Sequence, residues 1–132
     1  MQEKQSKNRV KHLLMVHLIF VVKYRKPLAS LYEDDIKRKI HDISQSSRFE
    51  IDTIEIDKDH IHLLIRYEPN ISISQIVRKL KSETTHDLWQ KHQTALRKEL
   101  WKSRHFWSCG YFCCSLGDIS QETARAYIES QG

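Results

Sequence analysis

The chain has 132 residues, 39% apolar and 30% charged, with 3 Gly and 2 Pro; the length suits one compact domain, and the composition excludes collagen-like, low-complexity and disordered classes. Lys and Arg number 22 against 17 acidic residues, and the net charge of +5 favours a polyanionic partner, most commonly a phosphate backbone. The longest apolar run, residues 13–22, is interrupted by His17 and is too short for a membrane-spanning helix.

Residues 1–10 are polar and basic and read as a flexible arm. They lack the apolar segment and cleavage site of a signal peptide, so a cytoplasmic protein is expected. Residues 11–24 are rich in β-branched and aromatic side chains and predict a strand, closed by Pro27. Ser30 then caps a helix with Ile36, Ile40 and Ile43 on one face and Asp34, Asp35, Lys37 and Arg38 on the other. Residues 50–56 alternate, Ile51, Thr53 and Glu55 against Asp52, Ile54 and Ile56. With the turn at 57–59 and the apolar segment 60–67 they make a β-hairpin.

Pro69-Asn70 ends the hairpin, and Ser72 or Ser74 opens a second helix, apolar at Ile76, Val77, Leu80, Leu88 and Trp89 and basic at Arg78, Lys79 and Lys81. A basic connecting region over 91–104 leads to Phe106-Trp107 and the apolar run 111–116, punctuated by Gly117. Asp118 or Ser120 caps a last helix through Tyr127 and Gln131. Cys109, Cys113 and Cys114 are odd in number and lack C-x-x-C spacing; they predict reduced core or strand cysteines rather than a disulfide framework or zinc site. The order βαββαβα implies a single α+β domain over 1–132 of the ferredoxin-like, split βαβ type. Its four-stranded antiparallel sheet carries helices on one face, plus a C-terminal helix that bears Tyr127. RNA-recognition modules share this topology, so fold alone leaves binding and chemistry both open.

The segment Asp59-His60-Ile61-His62-Leu63-Leu64 carries the strongest chemical signal. On a strand, His60 and His62 share a face while Ile61 and Leu63 take the other. Two imidazoles held side by side suit a divalent cation, although the same spacing also describes a pair of ordinary surface histidines. Tyr127 and Gln131 are four apart and share a helix face. The other histidines, including His17, are scattered and receive no role.

Taken together, Lys23-Tyr24-Arg25-Lys26, the His60-Ile61-His62 strand, Lys81, Phe106-Trp107-Ser108 with Gly110-Tyr111-Phe112, and Tyr127-Ile128-Glu129-Ser130-Gln131 resemble one family over nearly the whole chain. It is the small single-tyrosine transposases of bacterial and archaeal insertion sequences, which are HUH nucleases. The chain departs from the family pattern at Lys58, where Pro is usual, at Ser82, where Gly is usual, and at Thr84-Thr85, where a small residue precedes Ser.

The resemblance implies that His60, His62 and Gln131 bind Mg²⁺ or Mn²⁺. It implies that Tyr127 attacks a phosphodiester in single-stranded DNA, forming a covalent 5′-phosphotyrosine and freeing a 3′-hydroxyl. Asp57 or Asp59 is a candidate to orient a histidine through its second nitrogen. Substrates are implied to be hairpin-marked element ends, and the working form a homodimer whose sites are completed between protomers. The long first strand suits a sheet continued across the two-fold axis. Lys23, Arg25, Lys26, Arg78 and Lys81 are expected at phosphates, and Trp107 or Tyr24 in stacking on unpaired bases. The alternatives are a related protein acting on chromosomal palindromic repeats and a non-catalytic RRM-like nucleic-acid binding module.

Overall fold

The computed structural model describes residues 14–115 and 121–131. These form a four-stranded antiparallel sheet of order β2-β3-β1-β4: β1 is Leu14–Val21, β2 Phe49–Ile56, β3 His60–Tyr67 and β4 Phe112–Cys114. Helices α1 (Glu33–Gln45), α2 (Ile73–Glu99) and α3 (Gln121–Ser130) complete the described elements. The expected α+β, ferredoxin-like arrangement is present.

The sequence of β1 follows from its place between β3 and β4. Val16, Leu18 and Phe20, with Val22 just beyond, face the main core, where Ile36, Ile40 and Ile43 of α1 and Ile76, Val77, Leu80, Leu88 and Trp89 of α2 are buried. Ile19 and Val21 point to the other side and pack with Ile128 and Tyr127 of α3. A central strand covered on both faces reads as a near-continuous apolar run rather than an alternating one. That place corrects the expectation of a sheet continued through the first strand, because the sheet's edges are β2 and β4.

Strict alternation along β2 would separate Ile51 from Ile54 and Ile56. The register slips between Ile51, opposite Ile65, and Thr53, opposite Leu64. The extra residue, Asp52, is a bulge that resets the face. Phe49, Ile51, Ile54 and Ile56 therefore all reach the core.

Helix α2 opens at Ser72, whose hydroxyl accepts from the Gln75 amide while the Gln75 side chain accepts from the Ser72 amide, 3.1 and 2.9 Å. This capping box satisfies two donors that the first turn would otherwise leave open. The helix then continues through the region expected as a connection from residue 91 and ends only at Glu99. Leu96 and Leu100 prolong the buried side begun by Leu88, and burial of that stripe outweighs the local density of charge. His92 leaves helical geometry, φ −130°, and its Nε2 lies 2.6 Å from Asp35 Oδ2 of α1. Helix α1 starts after Tyr32 without a side-chain cap, so Ser30 does not serve that role.

The last strand spans three residues of the expected apolar run; Leu116, Gly117 and the candidate caps Asp118 and Ser120 lie outside the described residues, as does the arm over 1–10. Cys113 and Cys109 are exposed and Cys114 is half-buried. They belong to an edge strand and its approach, where apolar packing has no claim on them. No described helix is long and apolar enough to cross a membrane.

Candidate active site

His60 and His62 stand on β3 with ring centroids 5.0 Å apart. Their Cα partners on β1 are Val21 and Ile19, the residues on which Tyr127 and Ile128 pack. The tyrosine-bearing helix thus lies over the strand next to the histidine pair, on the same face of the sheet.

Each imidazole has its Nδ1 engaged. His60 Nδ1 lies 2.8 Å from Asp59 Oδ1, and Arg25 Nε donates to Asp59 Oδ2 at 3.1 Å. Burial raises the Asp59 carboxyl, but the hydrogen bonds from His60 and Arg25 outweigh it together and hold the group below the usual carboxylate range. His62 Nδ1 lies 3.3 Å from His17 Nε2. Burial lowers His62 from the ordinary imidazole range, and its neighbours His60 and His17 act in the same direction; the neutral ring is the form that binds metals. Of the two candidate orienting acids, Asp59 meets a histidine, whereas the Asp57 carboxylate accepts from the Lys58 amide.

Arg25 reaches Asp59 from an unusual backbone. The chain leaves β1 through a 3₁₀ turn over Lys23–Arg25, in which Tyr24 and Arg25 have φ of 60° and 54°. Two consecutive non-glycine residues in this region cost roughly 1–3 kcal/mol each. The turn is held by Lys23 N–H donating to Phe106 O at 2.9 Å and Arg25 N–H donating to Val22 O at 2.8 Å, besides the ion pair.

Tyr127 is half-buried against Phe112, ring centroids 5.7 Å apart. Its hydroxyl is buried with no hydrogen-bond partner among the described residues. Burial pushes the phenol above its ordinary range, and the neighbouring Cys109 thiol adds to this. Gln131 lies just past α3, and its Oε1 accepts from Ser108 Oγ at 3.2 Å. Lys81 Nζ in turn donates to the carbonyls of Ser108, at 2.9 Å, and Gly110. Burial lowers the Lys81 ammonium.

The expected DNA contacts therefore divide. Arg78 is exposed on α2, and Lys23 lines a shallow depression with the exposed Tyr24, Lys102 and His105. Lys26 pairs with Glu99 at 3.2 Å, Arg25 with Asp59, and Lys81 is committed to the 108–110 segment. Trp107 corrects the stacking expectation: it is 5% exposed, and its Nε1–H donates to the buried Thr84 hydroxyl at 2.9 Å. Aromatic character alone does not separate a stacking platform from core. Sequence reasoning passed over His17, and its signal was available: the one polar residue within the β1 run.

Comparison with known proteins shows the family. The family model described as "Transposase IS200 like" matches residues 10–131. The chain belongs to the IS200-like transposase family. Among its relatives is the ISDra2 transposase TnpA of Deinococcus radiodurans, 30% identical over 119 residues, covering 89% of this chain and 84% of that protein. The IS200 transposase of Salmonella typhimurium is 27% identical over 87% of this chain and 74% of its own length. A candidate transposase from Deinococcus radiodurans, solved by crystallography, superposes with TM-score 0.81 at 25% identity over 92% of both chains. A REP-associated tyrosine transposase bound to a REP hairpin shares the fold, TM-score 0.59 at 13% identity, over 90% of this chain and 66% of that one.

In this IS200-like transposase the donors fit a divalent cation. Two imidazoles on one rigid strand have Nδ1 engaged and Nε2 remaining, and an orphaned buried hydroxyl stands over the neighbouring strand. No cluster of three His, Cys, Asp or Glu able to hold a metal occurs among the described residues.

Proposed function

We propose that this transposase cleaves and rejoins single-stranded DNA at hairpin-marked element ends, through a covalent link to Tyr127. The observation that carries the reading is the buried Tyr127 hydroxyl, without a hydrogen-bond partner among the described residues, on a helix packed against the register partners of His60 and His62. An orphaned buried polar atom calls for an explanation, a catalytic role among them; what sets Tyr127 apart from the other such atoms, on Arg66, Asp87 and Trp89, is its place beside the histidine pair.

The phenolic oxygen attacks phosphorus; a P–O bond to Tyr127 forms and the P–O3′ bond breaks. The phenolic proton leaves through water and the departing oxygen ends as a 3′-hydroxyl. The new phosphodiester retains the energy of the old one, so a 3′-hydroxyl reverses the step without a nucleotide cofactor. His60 and His62 would hold Mg²⁺ or Mn²⁺ through Nε2, with Gln131 as the third protein ligand. A cation bound there polarises the scissile phosphate and neutralises charge on its oxygens. Lys23 and Arg78 bind phosphates, and Tyr24 stacks on an unpaired base. The working form is a homodimer, which sedimentation of the purified chain tests; a single-chain mass overturns it.

The binding-module alternative is disfavoured by the sheet itself. An RRM-like module stacks bases on aromatics of the open face, whereas this face carries His17, His60 and His62 beside Ile19 and Val21, which α3 covers.

The test is incubation with a single-stranded oligonucleotide carrying a hairpin, with Mn²⁺, followed by denaturing electrophoresis. A protein–DNA adduct that depends on both Mn²⁺ and Tyr127 is expected; wild-type protein that forms none sinks the reading.

A further inference from the structure

Strand β1 is apolar from Leu14 to Val21 except at position 17. A histidine set into a central strand is costly unless its ring nitrogens find partners. His17 lies opposite Leu64 and Cys114, and His62 opposite Ile19. The contact between the two imidazoles therefore crosses the ladder diagonally, between side chains of one face. His17 Nε2 stands 3.3 Å from His62 Nδ1, with the rings edge-on at 66° and centroids 5.5 Å apart.

This repeats at His62 what Asp59 does at His60. Both rings have Nδ1 occupied by a neighbour and only Nε2 left over. For His60 the neighbour is an anionic acceptor, so the ring keeps its proton on Nδ1. For His62 the neighbour is another imidazole, and the outcome depends on where the shared proton lies.

We propose that His17 is a positioning residue for His62, accepting a hydrogen bond from Nδ1–H at its own Nε2 and so leaving the His62 Nε2 lone pair for a cation. This rests on the reading of His60 and His62 as a cation pair. The opposite arrangement, in which His17 Nε2–H donates to Nδ1, uses the lone pair of His62 and leaves a proton on Nε2, where no metal can bind. A productive site therefore requires His17 to carry its own proton on Nδ1. Substitutions at His17 then act on the metal site through the His62 tautomer and ring angle, without removing a ligand.

The test uses the full chain labelled with ¹⁵N-histidine. Long-range ¹H–¹⁵N spectra of the metal-free protein report the His62 tautomer, and the spin resonance of free Mn²⁺ reports affinity. Wild type is expected to show His62 protonated at Nδ1. His17→Phe keeps a ring and removes the acceptor; a mixture of His62 tautomers and roughly tenfold weaker Mn²⁺ binding are expected. His17→Gln supplies a carbonyl oxygen and is expected to recover most of both. An unchanged tautomer in His17→Phe, or a Gln variant no better than Phe, overturns the proposal. Should His17→Phe fail to fold, the wild-type spectrum decides alone, since a proton on His62 Nε2 is incompatible with it. If wild type binds no Mn²⁺, or binds it equally after His62→Ala, the cation reading fails, while the tautomer comparison still decides the role of His17.

Discussion

The Asp59 carboxylate joins Arg25 to His60, one oxygen 3.1 Å from the guanidinium Nε and the other 2.8 Å from the imidazole Nδ1. A ligand histidine oriented this way loses about 10–100-fold in metal affinity when its outer partner is removed. Asp59→Ala is therefore expected to weaken Mn²⁺ binding by that order. Arg25→Ala should have a smaller effect, because it leaves the carboxylate in place. Titration of Mn²⁺ monitored by spin resonance checks both; equal affinities in wild type and Asp59→Ala contradict the relay.

Tyr127→Phe separates chemistry from stability. Its hydroxyl has no hydrogen-bond partner to lose among the described residues, and removing an unsatisfied buried polar group is neutral or stabilising. The variant should unfold at or above the wild-type temperature while forming no covalent adduct. A large loss of stability would mean that the hydroxyl has a partner in solution.

Lys81→Met tests whether this lysine serves structure or DNA. Its ammonium is bonded to Ser108 and Gly110, and Ser108 in turn holds Gln131. Losing these charge-assisted bonds should cost about 2 kcal/mol in unfolding free energy. Amide exchange over residues 108–111 should rise. Because no phosphate contact is removed, the salt dependence of hairpin binding should keep its slope; a slope reduced by about one unit would restore Lys81 to the DNA surface.

Trp107→Phe breaks the bond to Thr84 and thins the packing against Phe20 and Phe106. Roughly 1–3 kcal/mol of stability should be lost, and about 3–5 kcal/mol in Trp107→Ala. Affinity for single-stranded DNA, measured well below the unfolding temperature, should be unchanged in Trp107→Phe. Tyr24→Ala, in contrast, should weaken it by about 1–3 kcal/mol if one base stacks there.

The Asp35–His92 contact at the α2 kink gives stability a pH dependence. The hydrogen bond from His92 lowers the Asp35 carboxyl, Arg38 and Lys91 assist, and partial burial opposes them. A group depressed on folding stabilises above its unfolded value, about 3.9, and this is lost as pH falls through the lower folded value. Asp35→Asn should therefore cost about 1 kcal/mol at pH 7, discounted for partial exposure. The gap from wild type should close below about pH 4. Thermal unfolding of both proteins from pH 7 to 3 measures this; a gap independent of pH would assign the effect to packing.

Much of the architecture was legible locally, because periodicity carries it. Ile36, Ile40 and Ile43 announce α1, and the two-residue period places His60 and His62 on one face whatever the rest of the chain does. The length of α2 was not legible. Lys91 to Glu99 is too charged to read as helix, and only the burial of Leu96 and Leu100 against the core sustains it. The bulge at Asp52 was likewise hidden, since a register slip exists only relative to a partner strand.

The sequence by itself determined which groups are present and how neighbours along an element are spaced: the imidazole pair, the phenol and amide four residues apart, and the basic turn after the first strand. The tertiary structure alone decided what each of those groups meets. It brought His17 to His62 across 45 positions and tied Arg25 to His60 through Asp59. It also turned Lys81 and Trp107 inward, to Ser108 and Thr84. The reason is physical: side-chain period is a property of one strand or helix, whereas hydrogen-bond partners across a sheet follow from strand order and register, which hydrophobic burial sets for the whole domain at once.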